Sequence, residues 1–216
     1  MSTTEAPFDR IIDGGVIAVL RGVTDETLAP IATALADGGI TAIEVTANTP
    51  GVISKIERLS DLLADTDAVV GAGTVLDAAT TRSVLLAGAE FVVTPTLKED
   101  VIETANRDGI PVVPGIMTPT EAQQALEAGA DAVKLFPAKS VGPGHISAIH
   151  GPLPQVTIIP TGGISLENAD AYISAGAAAV GIGSVLITDE ILEAKDWEGL
   201  TRRAEQLVDT VESARD

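Results

Sequence analysis

Cysteine is absent from the 216 residues. That excludes disulfide staples and thiolate catalysis and fits a reducing compartment. Positive charge is scarce: 13 lysines and arginines stand against 31 acidic residues, for a formal charge of −18. Nucleic acid and anionic membranes are poor partners for such a surface, so neither is expected as a partner. No apolar run approaches the roughly 18 residues of a membrane span. The opening stretch, MSTTEAPFDR, has neither the basic start nor the apolar segment of a secretion signal. These absences together predict a soluble, cytoplasmic protein.

The acidic residues are scattered through segments with helical periodicity and so read as a solvated exterior. Few lysines and many carboxylates suggest adaptation to high salt, where self-repulsion is screened. An ordinary acidic cytosolic enzyme is the alternative.

What is present begins with enough apolar material, 45% of the chain, to fill one domain, although length alone permits two small ones. The segments LADGGITAIEV, LLAGAEFVVTP, ANRDGIPVVPG, LEAGADAVKLF and ISAGAAAVGIG repeat one layout. Each is a helix end, a glycine suited to stop it, and a short apolar run with β-branched residues. Such runs fall at 16–20, 41–45, 68–72, 90–94, 111–114, 132–136, 156–160 and 179–183. Helical patterns separate most of them, with Thr24 and Thr118 as N-caps and Glu121 at capping-box spacing from Thr118. The link KSVGPGHISAIHGPLPQ, rich in glycine and proline, leaves room only for an abbreviated helix.

Strands alternating with helices over nearly the whole length predict an α/β fold, a closed (β/α)8 (TIM) barrel. The rival, a doubly wound open sheet, would normally carry a dinucleotide fingerprint early in the chain, and GVIAVLRG is not one. No linker divides the chain, so a single domain spanning 1–216 is expected. Residues 1–13 would lead in, and a C-terminal helix would run from about 197 to 213.

One of only five lysines interrupts ADAVKLF. Strand side chains alternate, so Val133 and Leu135 share one face and Ala132, Lys134 and Phe136 the other. Branched apolar residues suit the face under the outer helices, which turns Lys134 inward. By the same logic Ile43 and Val45 of TAIEVT point outward, and Glu44 points inward with Ala42 and Thr46. A purely structural Lys–Glu ion pair is the alternative, but such pairs are often no better than an apolar replacement. Burial favours a neutral amine, which is a nucleophile.

The PTGGI and GIGS stretches expose backbone amides after the last two strands. Gly162, Gly163, Gly183 and Ser184 are therefore candidates for holding a phosphate. Arg21, Thr74, Thr94–Pro95 and Thr161 would ring the same mouth. His145 and His150, five apart with no acidic cluster, make a poor metal pair; no metal site is expected.

EVT, GAGTVL, VTP, PG (114–115), KLFPA, PTGGI and GIGS, in this order, resemble the KDPG/KHG aldolase family across essentially the whole chain. The resemblance implies a homotrimer of (β/α)8 barrels and a Schiff base on Lys134, with no metal or organic cofactor. It implies Glu44 as general acid/base, pyruvate-side contacts from Thr74, Pro95, Phe136 and Thr161, and the phosphate end at Gly162, Gly163, Gly183 and Ser184. The implied substrate is 2-keto-3-deoxy-6-phosphogluconate, split into pyruvate and glyceraldehyde 3-phosphate.

One position departs from the pattern. Many members carry arginine four residues after the glutamate; here it is Asn48, which lacks the bidentate fork for a carboxylate. Arg21 is the candidate replacement. The pairing of LRG with NTP looks like the branch acting on the 6-phosphogalactonate epimer, whereas PTGGI looks like the gluconate branch, so dual specificity is expected. A sugar-phosphate isomerase, a non-catalytic phosphate-ligand binder and a metal-dependent aldolase are the other readings.

Overall fold

The computed structural model describes residues 6–215; the first five residues of the expected lead-in lie outside the described residues. Its strands are β1 (Val16–Leu20), β2 (Ala42–Thr46), β3 (Val69–Gly73), β4 (Phe91–Val93), β5 (Val112–Val113), β6 (Gly115–Ile116), β7 (Val133–Leu135), β8 (Ile158–Pro160) and β9 (Val180–Ile182). The helices are α1 (Pro7–Gly14), α2 (Asp25–Asp37), α3 (Val52–Leu63), α4 (Ala78–Leu86), α5 (Glu99–Arg107), α6 (Pro119–Glu127), α7 (Gly144–His150), α8 (Ala169–Ser174), α9 (Asp189–Ala194) and α10 (Trp197–Ser213).

The local signals act as read. Gly39, Gly88, Gly109, Gly129 and Gly176, one from each repeat, have φ of +85°, +100°, +69°, +94° and +104°. That left-handed backbone stops each helix and turns the chain toward the next strand. Thr118 caps α6, and its partner Glu121 returns the bond. Thr24 caps α2, reciprocated by Thr27. The glycine- and proline-rich link forms only a 3-10 turn at 138–140 and the seven-residue α7.

Every strand pairing is parallel. One sheet runs β5-β4-β3-β2-β1-β9 and a second β6-β7-β8, giving a curled α/β sheet with helices outside. The expected run 111–114 holds only β5, and a further short strand, β6, follows it at 115–116; this is a correction. Pro114 has no N–H to give to a ladder, so pairing is interrupted there. Its carbonyl still accepts from Lys134 N at 2.8 Å, while Val113 O accepts from Thr94 N at 3.2 Å. The segment 112–116 thus bonds to a neighbour on each edge. At the other margin, an isolated bridge joins Thr161 to Gly181, and Ala178 N donates to Ile158 O at 3.0 Å.

Two apolar clusters explain the faces. The larger lies between sheet and helices and contains Ile43, Val45, Val133 and Leu135. The smaller fills the inner face with Ile17, Ala42, Val69, Phe91, Val113, Ala132 and Ile159. Ile11 of α1 is fully buried in it, with Phe8 and Ile12 packed alongside, so α1 stoppers the N-terminal end of the strands. What enters the interior above this apolar floor is Glu44 and Lys134.

Candidate active site

Glu44 stands in the middle of β2, paired in register with Val19 of β1 and Gly71 of β3. Lys134 is central in β7, opposite Gly115 and Ile159. Both are buried, at 1% and 5% exposure, so both orientations expected from strand alternation hold. No ion pair joins them, and Glu44 Oε1 lacks a hydrogen-bond partner among the described residues. A structural salt bridge is therefore not the arrangement adopted. The Lys134 ammonium nitrogen lies 5.0 Å from the centroid of the Phe136 ring.

Burial dominates both titrations. It pushes the Glu44 carboxyl above its ordinary range, with the charges of Lys134 and Arg21 only partly opposing. It pushes the Lys134 amine below its ordinary range; Glu44 opposes this and Arg21 adds to it. A carboxyl and an amine moved toward each other are suited to passing protons near neutrality.

The room for these side chains comes from glycines. A Cβ on Gly73 would overlap the Glu44 carboxylate, standing 2.6 Å from its carbon. One on Gly181 would overlap the Thr161 hydroxyl, and one on Gly115 would overlap the Pro95 backbone. Gly73, Gly115 and Gly181 were not among the expected site residues. A signal was available: in VVGAG, period two sends Gly71 and Gly73 to the face shared with Glu44.

A cavity of about 300 Å³ opens beside Lys134. Arg21, Phe136 and Thr161 line it, as do the phosphate candidates Gly162, Gly163, Gly183 and Ser184. Gly162 and Gly163 both have φ of +88°, and Asn168 braces the loop by donating to Gly163 O at 3.0 Å and accepting from Ser165 N at 2.9 Å. Val19 and Ile164 are further lining residues not foreseen from the sequence.

Five expected residues lie outside that lining; one is Thr94, fully buried, with its hydroxyl donating to the Thr96 carbonyl. Glu44 sits deeper, within electrostatic reach of Lys134. Thr74 follows β3 with φ of +57°, a conformation uncommon for a β-branched residue and often associated with function. Pro95 is half-buried beside Gly115, and Asn48 is exposed. Arg21, though exposed, lines the cavity.

Among the described residues no group of three or more His, Cys, Asp or Glu side chains could hold a metal ion. His145 and His150 are each engaged by a backbone carbonyl, of Met117 at 2.7 Å and Val156 at 2.9 Å.

A curled parallel α/β sheet with an interior lysine and carboxylate under glycine-rich loops is the setting of an aldolase. The model of the KDPG and KHG aldolase family matches residues 9–203, and the chain belongs to that family. A 2-dehydro-3-deoxy-phosphogluconate aldolase of Pseudoalteromonas atlantica is 36% identical, over 93% of each chain. A 2-dehydro-3-deoxy-6-phosphogalactonate aldolase of Escherichia coli is 40% identical, over 79% of this chain and 83% of that one. The KDPG aldolase of Legionella pneumophila, with pyruvate captured as a covalent carbinolamine, superposes with a TM-score of 0.86 at 32% identity, covering 94% of this chain and 98% of that one.

Proposed function

We propose that the chain is a class I aldolase that cleaves 2-keto-3-deoxy-6-phosphogluconate to pyruvate and D-glyceraldehyde 3-phosphate in Entner–Doudoroff-type sugar acid breakdown. The observation that carries this reading is the buried Lys134, with its amine's pKa depressed, facing the same interior as Glu44 at the foot of the glycine-loop cavity. A second reading, cleavage of the C4 epimer 2-keto-3-deoxy-6-phosphogalactonate as well, is favoured by the relatives, which include aldolases named for each epimer, and by Arg21 lining the cavity where Asn48 does not.

In this mechanism the neutral Lys134 amine attacks the C2 ketone to give a carbinolamine. Glu44, protonated at this stage, gives its proton to the departing hydroxyl, which leaves as water, and the product is a protonated imine facing the Glu44 carboxylate. Glu44 takes the proton of the C4 hydroxyl, the C3–C4 bond breaks, and its electron pair moves onto the imine nitrogen as an enamine. Glyceraldehyde 3-phosphate leaves. Glu44 returns its proton to C3, and water hydrolyses the imine to pyruvate and free lysine. The imine is the electron sink, so no metal or organic cofactor takes part. Phe136, Thr161, Thr74 and Pro95 would flank the pyruvate half, with Arg21 toward its carboxylate. Gly162, Gly163, Gly183 and Ser184 would anchor the phosphate and convert distant binding energy into orientation.

The same reading extends to the whole chain. The bonding of 112–116 on both edges and the Thr161–Gly181 bridge support closure of the two sheets into one single-domain (β/α)8 barrel. Exposed Leu62, Leu76 and Leu86 are consistent with a homotrimer, to be read as three times 22.0 kDa in sedimentation. The protein is expected in the cytoplasm, adapted to salt.

The test is borohydride reduction in the presence of pyruvate, with peptide mass spectrometry. A reduced pyruvyl adduct on Lys134 is expected. A clean adduct on another residue, or none with an active preparation, overturns the assignment. Parallel assays of both phosphorylated epimers then decide between the two readings.

A further inference from the structure

The 3-10 turn 138–140 is laid directly against the glycine pair. Ala138 N donates to Thr161 O and Lys139 N to Gly162 O, each at 2.9 Å. The Lys139 stem occupies the space a side chain at 163 would need: a Cβ on Gly163 would overlap its Cβ and stand 3.0 Å from Cγ and Cδ. Gly163 therefore does more than relax the backbone. It lets a lysine lie flat across the loop.

The distribution of charge gives this contact meaning. Most of the 13 cations are engaged among the described residues, in ion pairs such as Lys55–Asp25 and Lys195–Glu26 or on backbone carbonyls, as with Arg203 and Arg215. The side chains of Arg21, Lys98, Lys134, Lys139 and Arg202 make no such bond there. Two of these five stand where a charge can meet a ligand of the cavity: Arg21 lines it, and Lys139, exposed and outside the lining, rests its stem on Gly163 at the edge. Lys134 also lines it, but its amine is the nucleophile. A phosphate monoester carries about −1.5 to −2 charges at pH 7 and must approach a protein of formal charge −18. Backbone amides give such a ligand direction but only partial charge. A full, mobile point charge beside them offsets the repulsion locally.

We propose that Lys139 is a specificity-determining residue for the phosphate end: its ammonium closes over the Gly162–Gly163 loop on the phosphoryl oxygens and sets the preference for phosphorylated substrate. The proposal rests on the aldolase reading above for the identity of that substrate.

The test compares wild type, Lys139→Ala and Lys139→Arg in cleavage of the phosphorylated keto acid and its dephosphorylated counterpart. It adds calorimetric binding of 3-phosphoglycerate, which needs no turnover. Lys139→Ala should raise KM for the phosphorylated compound and weaken 3-phosphoglycerate binding about tenfold, the scale of one charge-assisted hydrogen bond. Its kcat should stay within about twofold of wild type, and Lys139→Arg should recover most of the loss. Unchanged KM and unchanged 3-phosphoglycerate affinity in Lys139→Ala overturn the proposal, as does equal loss for the dephosphorylated compound. Should wild type cleave neither compound yet bind 3-phosphoglycerate in a Lys139-dependent way, the aldolase reading fails and Lys139's role as the phosphate-recognising cation stands.

Discussion

Lys134 and Glu44 enter one interior from β7 and β2, nearly fully buried, without forming an ion pair. Two opposite charges left in that position would each lack a partner, a costly state. The pair escapes the cost by moving toward its neutral forms, the carboxyl's pKa upward and the amine's downward. A neutral amine is what nucleophilic attack requires, so under the proposed mechanism the burial that costs the fold stability also favours the reactive form.

Glu44→Gln separates those two consequences. Loss of a positioned acid/base group should lower turnover by about 10²–10⁴-fold with the fold retained. Stability should move the other way. The folded chain holds the Glu44 proton to higher pH than the unfolded chain, whose carboxyl titrates near 4.5. Between that value and the raised folded value, the folded state binds more protons, so stability falls as pH rises through the window. The amide removes this loss. Thermal melts from about pH 4 to pH 8 should show the variant gaining on wild type as pH rises, with no gain at the acid end. A pH-independent difference, or near-normal turnover, would contradict the role given to Glu44.

Gly73→Ala tests whether the carboxylate is placed by a missing side chain. Gly73 is not in the left-handed region, so alanine meets no backbone objection, only the Glu44 carboxylate. Overpacking of this kind costs about 1–3 kcal/mol, and displacement of the acid/base should lower kcat at least tenfold. Gly144→Ala, whose Cβ meets nothing within 4 Å, is the matched control and should leave melting temperature and kcat near wild type. Equal behaviour of the two variants would detach Gly73 from the site.

Much of this site was legible because strand alternation is a strict rule. A polar residue in ADAVKLF or TAIEVT has one face to choose, and the apolar neighbours choose it. The repeat glycines were legible for a similar reason, since each stops a helix by a local conformation. Gly73, Gly115 and Gly181 were not, because their role is to be empty opposite a side chain from another strand, and registers such as Glu44–Gly71 are tertiary facts. The interruption of 111–114 was open to prediction from Pro114 alone, since proline removes a ladder donor wherever it stands. The Lys139 stem over Gly163 joins two loops whose proximity no local pattern records.

The salt dependence should split in two directions. The 31 acidic residues outnumber the 13 basic ones, so pairing cannot neutralise the surface, and screening must do the rest. Raising ionic strength from 0.1 M to 1 M shortens the Debye length from about 10 Å to about 3 Å, which relieves carboxylate repulsion and should raise the melting temperature in potassium chloride. The same screening weakens the attraction between Lys139 and a phosphate, so KM for the phosphorylated substrate should climb over that range while kcat holds. Melting curves and steady-state kinetics in one salt series read both effects. A melting temperature that peaks in dilute buffer would remove the salt-adapted interpretation of the acidic surface. A KM indifferent to salt would argue that backbone dipoles, and no full charge, hold the phosphate.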